Sequence, residues 1–390
     1  MQQRQDQVLD RPTAILAALA LSAIGALFYN MLPVYLGIAQ DERQLDFART
    51  GLISGAFFLG YNLVTISAFF WIRRVSWRKV FFATLPLGAA ALYLGALIEN
   101  YAGLLLSTAI AGGAFAAIYG IGTTAVGDTP NPSRWYGVKI ASEAGLGAIL
   151  FLVLPGTLIA WRGLEGLVIG MVLAVALLAP LALGLPRGTA NADQDELAHE
   201  SNSMNRGRHL AIWMALAGTL LFFSGQTTVW AFVERLGSAG GFEPESVGVL
   251  LSVSLAFAVS GSLVCASLGD RWGNVLPFGL ACSVFLVALL LLAQSATFAF
   301  YAAGTCAVMF SVGMGLPFAI ARVAELDLEG RYVVLSVPAV GIGAMLGPSI
   351  AGALADGEGL APILAFSATV GITSALLLCV LSTRQRDHAV

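Results

Sequence analysis

Apolar runs about as long as a bilayer is thick recur down this 390-residue chain, separated by short polar breaks. Lipid offers backbone groups no hydrogen-bond partners, so a run of that kind must be a helix of about 20 residues or a strand of a closed barrel. Barrel strands alternate apolar and polar positions over about ten residues. These runs are longer and unbroken, so they read as helices. The balance of 58% hydrophobic to 11% charged residues also lies outside the range of a water-soluble domain.

The polar breaks divide the chain into segments near 13–37, 48–71, 80–98, 102–126, 140–162 and 164–185. Residues 186–209, "PRGTANADQDELAHESNSMNRGRH", are rich in charge, Pro, Gly and Asn with no apolar period and read as a solvated linker. Six more segments follow, near 210–234, 247–268, 276–294, 297–320, 333–354 and 361–382. The expected fold is therefore an all-α polytopic membrane protein of twelve transmembrane helices. It divides into two six-helix bundles, 1–185 and 210–390, joined by the linker 186–209.

Lys and Arg stay preferentially on the cytoplasmic side of membrane helices. With both termini inside, sixteen of the twenty basic residues fall there and only Arg43, Arg49, Arg162 and Arg235 fall outside. The first segment is longer than the apolar core of a cleaved signal and is expected to remain in the protein.

The second half repeats the first. "AGLGAIL" at 144–150 aligns with "VGIGAML" at 340–346 at one shift, and a shift one residue longer sets Gly51 on Gly248, Arg74 on Arg271, Asp128 on Glu325 and Arg134 on Arg331. Glycines match by chance in apolar sequence; two acid-and-arginine pairs in register are stronger evidence of a repeat.

The eighth segment ends in "LGDRWGN", where Asp270, Arg271 and Gly273 form a charged turn; its counterpart in the first half is "WIRRVSWRK" at 71–79. Two repeats of six spans with this loop resemble the major facilitator superfamily over essentially the whole chain. That family's loop signature runs Gly-x3-Asp-Arg-x-Gly and then basic residues. Here Ala266 and Asn274 depart from it, and the first-half copy keeps Arg74, Arg78 and Lys79 but has Arg73 in place of the acid. The resemblance implies a cytoplasmic gate of Asp270, Arg271, Gly273, Arg74, Asp128, Arg134, Glu325 and Arg331, whose ion pairs form in one state and break in the other. A solvated positive loop with no gating role is the other reading.

In repeat transporters the solute binds near the midplane between the halves. Aligning the first and seventh segments sets Asn30 against Gln226, deep in both and beside Tyr29, Thr227 and Trp230; Tyr61, Asn62 and Tyr119 can join them. The amides either face one shared cavity or simply bond neighbouring helices. Glu143 is the acid placed clearly inside a segment, where a carboxylate costs about 3 kcal/mol unless paired, wetted or protonated. It either carries a coupling proton or pairs with Lys139 one turn earlier. No Lys or Arg is expected deep in a span, which favours a neutral, weakly polar or aromatic solute.

No GxxxxGK[ST], HExxH, GxSxG or CxxC occurs. "GIGAMLG" at 341–347 lies inside an apolar run, where small residues serve helix packing. The four cysteines are scattered apolar fillers. A catalytic centre, cofactor, metal or nucleic-acid partner is not expected. The marker of drug antiporters in this superfamily, an Arg in the fourth span, is absent from "STAIAGGAFAA", and "EAGLGAILFLVLPG" lacks their Gly-Pro step. The sequence thus reads as a monomeric transporter of the cell inner membrane that couples protons to uptake of a small organic solute; export of a hydrophobic metabolite or drug is the alternative.

Overall fold

The computed structural model describes residues 11–129, 132–186, 206–268, 272–327, 332, 335–356 and 359–381. They are helical nearly throughout: α1 (Pro12–Arg43), α2 (Phe47–Trp71), α3 (Trp77–Leu97), α4 (Tyr101–Gly127), α5 (Pro132–Val153), α6 (Ala160–Leu178), α7 (Arg206–Ala239), α8 (Pro244–Leu268), α9 (Val275–Leu292), α10 (Phe298–Leu326), α11 (Ser336–Ala355) and α12 (Ala361–Ala375). Among the described residues, 11 helical stretches are long and apolar enough to cross a membrane.

The longest of these, Val138–Gly184, runs to 47 residues and takes in both α5 and α6. It is not one rod. A π-helical turn, Pro155–Ile159, follows α5, and Gly163 then departs from helical geometry at φ 53° and ψ −123°. Beyond it Gly166 lies against the Leu158 carbonyl and Gly170 against the Leu154 side chain. In a straight helix Leu154 and Gly170 are about 24 Å apart, so the chain doubles back here, at the glycine between the fifth and sixth apolar segments.

Local chemistry sets the other ends. Asp46 accepts the Arg49 N–H at 2.6 Å at the start of α2, and Asn100 accepts the Gly103 N–H at 2.6 Å at the start of α4, as N-caps do. The first helix outruns its apolar segment, which ends near residue 37, because each of its last three charged residues finds a partner on another helix. Asp41 meets Arg235 of α7, Glu42 accepts the Leu164 N–H at 2.9 Å, and Arg43 donates to the Gly95 and Ala96 carbonyls at 2.7 and 2.9 Å, closing the end of α3. Satisfied polar groups let a helix continue past its greasy stretch.

Helix pairings recur with the number raised by six. As α2 packs on α4, α8 packs on α10; as α3 packs on α4, α9 packs on α10; as α1 packs on α5, α7 packs on α11. Glycine makes the closest crossings. Gly60 faces the Ala109 carbonyl and Gly112 the Phe57 carbonyl between α2 and α4; Gly261 faces Phe310 and Gly313 faces Ala258 in the same way between α8 and α10. Small residues let backbones approach where lipid supplies no hydrophobic drive for association.

Two broad seams, α2 against α11 and α5 against α8, and a narrower one, α1 against α7, tie residues 11–186 to residues 206–381. Gly51 sits on the Pro348 backbone in the first and Gly248 on Phe151 and Pro155 in the second, so the glycines aligned by the sequence repeat occupy matching places.

Candidate functional site

Where α1, α5 and α7 meet at mid-length, polar groups are buried among aromatic rings. Asn30 donates to the Glu143 carbonyl of α5 at 2.8 Å, and Gln226 donates to the Ser311 hydroxyl of α10 at 2.6 Å. Each amide thus bonds a neighbouring helix, and the two do not meet. The Gln226 carbonyl oxygen and the Asn62 amide nitrogen, both buried, have no hydrogen-bond partner among the described residues. The hydroxyls of Tyr29 and Thr227 lie near one another, and neither meets hydrogen-bond geometry with a partner among the described residues. A buried polar group without a partner is costly.

Rings connect this region across four helices. Tyr119 lies 6.1 Å from Tyr61, Tyr61 lies 6.0 Å from Phe58, Phe58 lies 6.2 Å from Tyr29, and Tyr29 lies 6.1 Å from Phe223. Trp230 donates its indole N–H to the Tyr29 carbonyl at 2.9 Å, which fixes α7 against α1.

The strongest electrostatic feature lies on α5. Lys139 approaches the Glu143 carboxylate at 2.6 Å, one turn away, with the two side chains only 5% and 14% exposed. The same ammonium donates to the Tyr119 hydroxyl at 2.9 Å and lies 4.2 Å from the centre of that ring. The sequence places no Lys or Arg deep in a span; Lys139 is nonetheless buried, one residue inside the start of the apolar stretch Val138–Gly184. Lys139 was set in a cytoplasmic loop because the fifth apolar segment begins one residue later; the helix in fact starts at Pro132 and buries it two turns in. Burial is tolerable because carboxylate, hydroxyl and ring face share its charge. Sequence reasoning also missed Phe58, Phe223 and Ser311. Nothing in one sequence separates them from other residues of apolar helices, whereas the i, i+4 spacing of Lys139 and Glu143 was a readable signal.

Asp128, at the end of α4, forms a two-pronged ion pair with Arg73 at 2.5 and 2.8 Å. Its partner is thus the arginine that occupies the acid's place in the family signature, not the neighbouring Arg74, which is exposed. Arg322 meets Glu325 at 2.8 Å. Gly273 has φ 64°, the left-handed turn geometry that glycine adopts without strain. Asp270, Arg271 and Arg331, and the side chain of Arg134, lie outside the described residues.

The opposite end, where α1 passes into α2, is closed. Arg235 of α7 grips Asp41 of α1 at 2.5 and 2.9 Å and is braced by Glu234 at 2.7 Å, while Phe47 and Phe232 meet edge-on at 6.1 Å. Two further arginines are held as well: Arg162 by Glu165 at 2.9 Å and Arg49 by Asp46 at 3.7 Å. In a background without native cysteines, a cysteine at Phe232 is expected to react slowly with an impermeant maleimide, and severalfold faster once Asp41→Asn removes the clasp. Equal labelling of both would mean that the apolar seam alone holds this end shut.

A polytopic helical chain closed at one end, with unsatisfied polar groups and a charge pair buried at its centre, has the build of a membrane transport protein. The chain belongs to the Major Facilitator Superfamily, whose sequence model matches residues 14–327. A gentisate transporter of Corynebacterium glutamicum is 28% identical over 241 residues, 55% of this chain and 52% of that protein, so the match spans about half the length of this relative. The fold is also that of the nucleoside transporter NupG (TM-score 0.66, 16% identity, 96% of this chain and 98% of that one). It is shared by an inward-facing, unoccupied bacterial homologue of the human lysosomal transporter Spinster (TM-score 0.64, 14% identity, 97% of each). FucP in its outward conformation is similar as well (TM-score 0.62, 18% identity, 97% of this chain and 99% of that one).

Proposed function

We propose that this protein is a proton-coupled symporter of a small organic acid. The reading has twelve spans in two six-helix halves, 1–185 and 210–390, rocking about a central site, with both termini in the cytoplasm of an inner membrane and the protein acting as a monomer. With that orientation the α1–α2 end, held by Arg235 and Asp41, faces outward. The function is transport, with no bond made or broken in the solute.

The buried Lys139–Glu143 pair carries this reading. A proton on Glu143 cancels its attraction for Lys139 and releases the ammonium, together with the Tyr119 hydroxyl, to a carboxylate from solution. Loss of the proton restores the internal pair and expels the solute's charge. Tyr61 and Tyr119 are the other titratable groups facing Glu143. The unsatisfied groups of Tyr29, Asn62, Gln226 and Thr227 can bind hydroxyls on the solute, and the chain of rings from Tyr119 to Phe223 offers faces for an aromatic body. The gentisate relative supports this class, since gentisate is a hydroxylated aromatic carboxylate. Asp128, Arg73, Arg74, Arg134, Asp270, Arg271, Gly273, Glu325 and Arg331 supply the inner gate, whose ion pairs bias a two-state equilibrium.

The deciding experiment measures by mass spectrometry the accumulation of a panel of aromatic and aliphatic acids in cells with and without the protein, with and without a protonophore. The expected result is a raised internal level of one hydroxylated aromatic acid that collapses with the protonophore. A lowered level that recovers with the protonophore would establish export.

A further inference from the structure

We propose that the basic hollow where α1, α3 and the end of α6 converge holds the headgroup of an anionic phospholipid. The 3-10 turn Ala179–Gly184 ends α6, and Gly184 packs directly on the Thr13 carbonyl in the first turn of α1. Arg78, at the start of α3, reaches over and donates to the Leu183 carbonyl and, at 2.6 Å, to the Leu185 carbonyl. The three elements border an open hollow of about 650 Å³ lined by Arg11, Leu16, Arg78, Pro180, Leu181 and Leu183 among others. No Asp or Glu is among the described residues that line it.

Three properties favour a lipid. The charge is one-signed: Arg11 makes no side-chain hydrogen bond or ion pair among the described residues, and exposed Lys79 follows Arg78. The walls are amphiphilic, since Leu16, Leu181 and Leu183 are 52%, 40% and 57% exposed beside the two guanidinium groups, as acyl chains below a phosphate require. The hollow is far larger than a phosphate ion. Basic pockets between membrane helices near the bilayer surface take anionic headgroups, each cation contributing about a fivefold gain in binding. The site stands apart from the transport pathway and does not depend on the solute assigned above.

The test is native mass spectrometry of the full-length protein in detergent, titrated with phosphatidylglycerol, phosphatidylcholine or inorganic phosphate. Phosphatidylglycerol is expected to be retained in preference to phosphatidylcholine, and Arg11→Gln to weaken its retention about fivefold. Arg78→Gln should do the same, but it also uncaps two carbonyls, so Arg11→Gln is the deciding variant. Equal retention of the two lipids, or an unchanged Arg11→Gln, overturns the proposal. Displacement of phosphatidylglycerol by millimolar phosphate overturns it in favour of a free-ion site.

Discussion

Glu143→Gln is expected to abolish uphill, proton-driven accumulation while solute-for-solute exchange across the membrane continues. The glutamine keeps the side chain's shape beside Lys139, at the place where the carboxylate now lies 2.6 Å from the ammonium, but it can neither carry nor release a proton. Lys139 then faces the solute permanently, so binding survives and coupling does not. Lys139→Gln is expected to lower both exchange and uptake about a hundredfold. Truncating one partner of a buried, hydrogen-bonded charge pair across a binding contact costs about 2 to 5 kcal/mol, and each 1.4 kcal/mol is a factor of ten. Counterflow and protonophore-sensitive uptake measured in proteoliposomes check both variants. If Glu143→Gln still accumulates solute against a gradient, the proton travels elsewhere. If Lys139→Gln exchanges at the rate of the parent protein, the ammonium has no part in binding.

The second large effect is expected at Gly163. Its φ of 53° with ψ −123° belongs to a region that L side chains avoid, and a Cβ there would run into the Glu42 carboxylate. That carboxylate caps the start of the returning helix through the Leu164 N–H. Gly163→Ala therefore strains the backbone and displaces the cap together, a combined cost of about 3 kcal/mol. The expected outcome is a strongly lowered thermal unfolding temperature in detergent and a poor yield of monodisperse protein. Glu42→Gln, which can still accept the N–H, should retain most of the stability. An unchanged unfolding temperature in Gly163→Ala would mean that the chain reverses by some other means.

Much of the helical fold was legible because the bilayer forces it: long apolar runs must be helical. Of the stretch read as a linker, 186–209, residues 187–205 lie outside the described residues, and 206–209 belong to the first turn of α7. The division at Gly163 could be placed within a residue, since a glycine directly after Arg162 and two residues before Glu165 interrupts a long apolar stretch. Helix ends were less legible. The last turn of α1 is charged, and only its contacts with α3, α6 and α7 explain why it stays helical. The start of α5 was set too late for the same reason, and that concealed the burial of Lys139. At the centre, Asn30, Gln226 and Glu143 were readable as polar groups in apolar surroundings. Their partners were not, because a hydrogen bond from Gln226 to Ser311 or from Asn30 to a backbone carbonyl leaves no trace in one sequence. The Arg73–Asp128 pair shows a further limit: the family signature pointed to an acid at position 73, and the arginine there nonetheless found an acid across the helix crossing.

The glycine crossings set a condition on the chain that is looser than a fixed position. Gly60 and Gly112 hold α2 against α4 through backbone contact, and Gly261 and Gly313 hold α8 against α10 in the same way. In the register that sets Gly51 on Gly248, the second pair lies four residues, about one helical turn, further along. Backbone-to-backbone contact leaves no room even for a methyl group, so each crossing needs its two glycines, while the turn at which the helices cross differs between the two pairs.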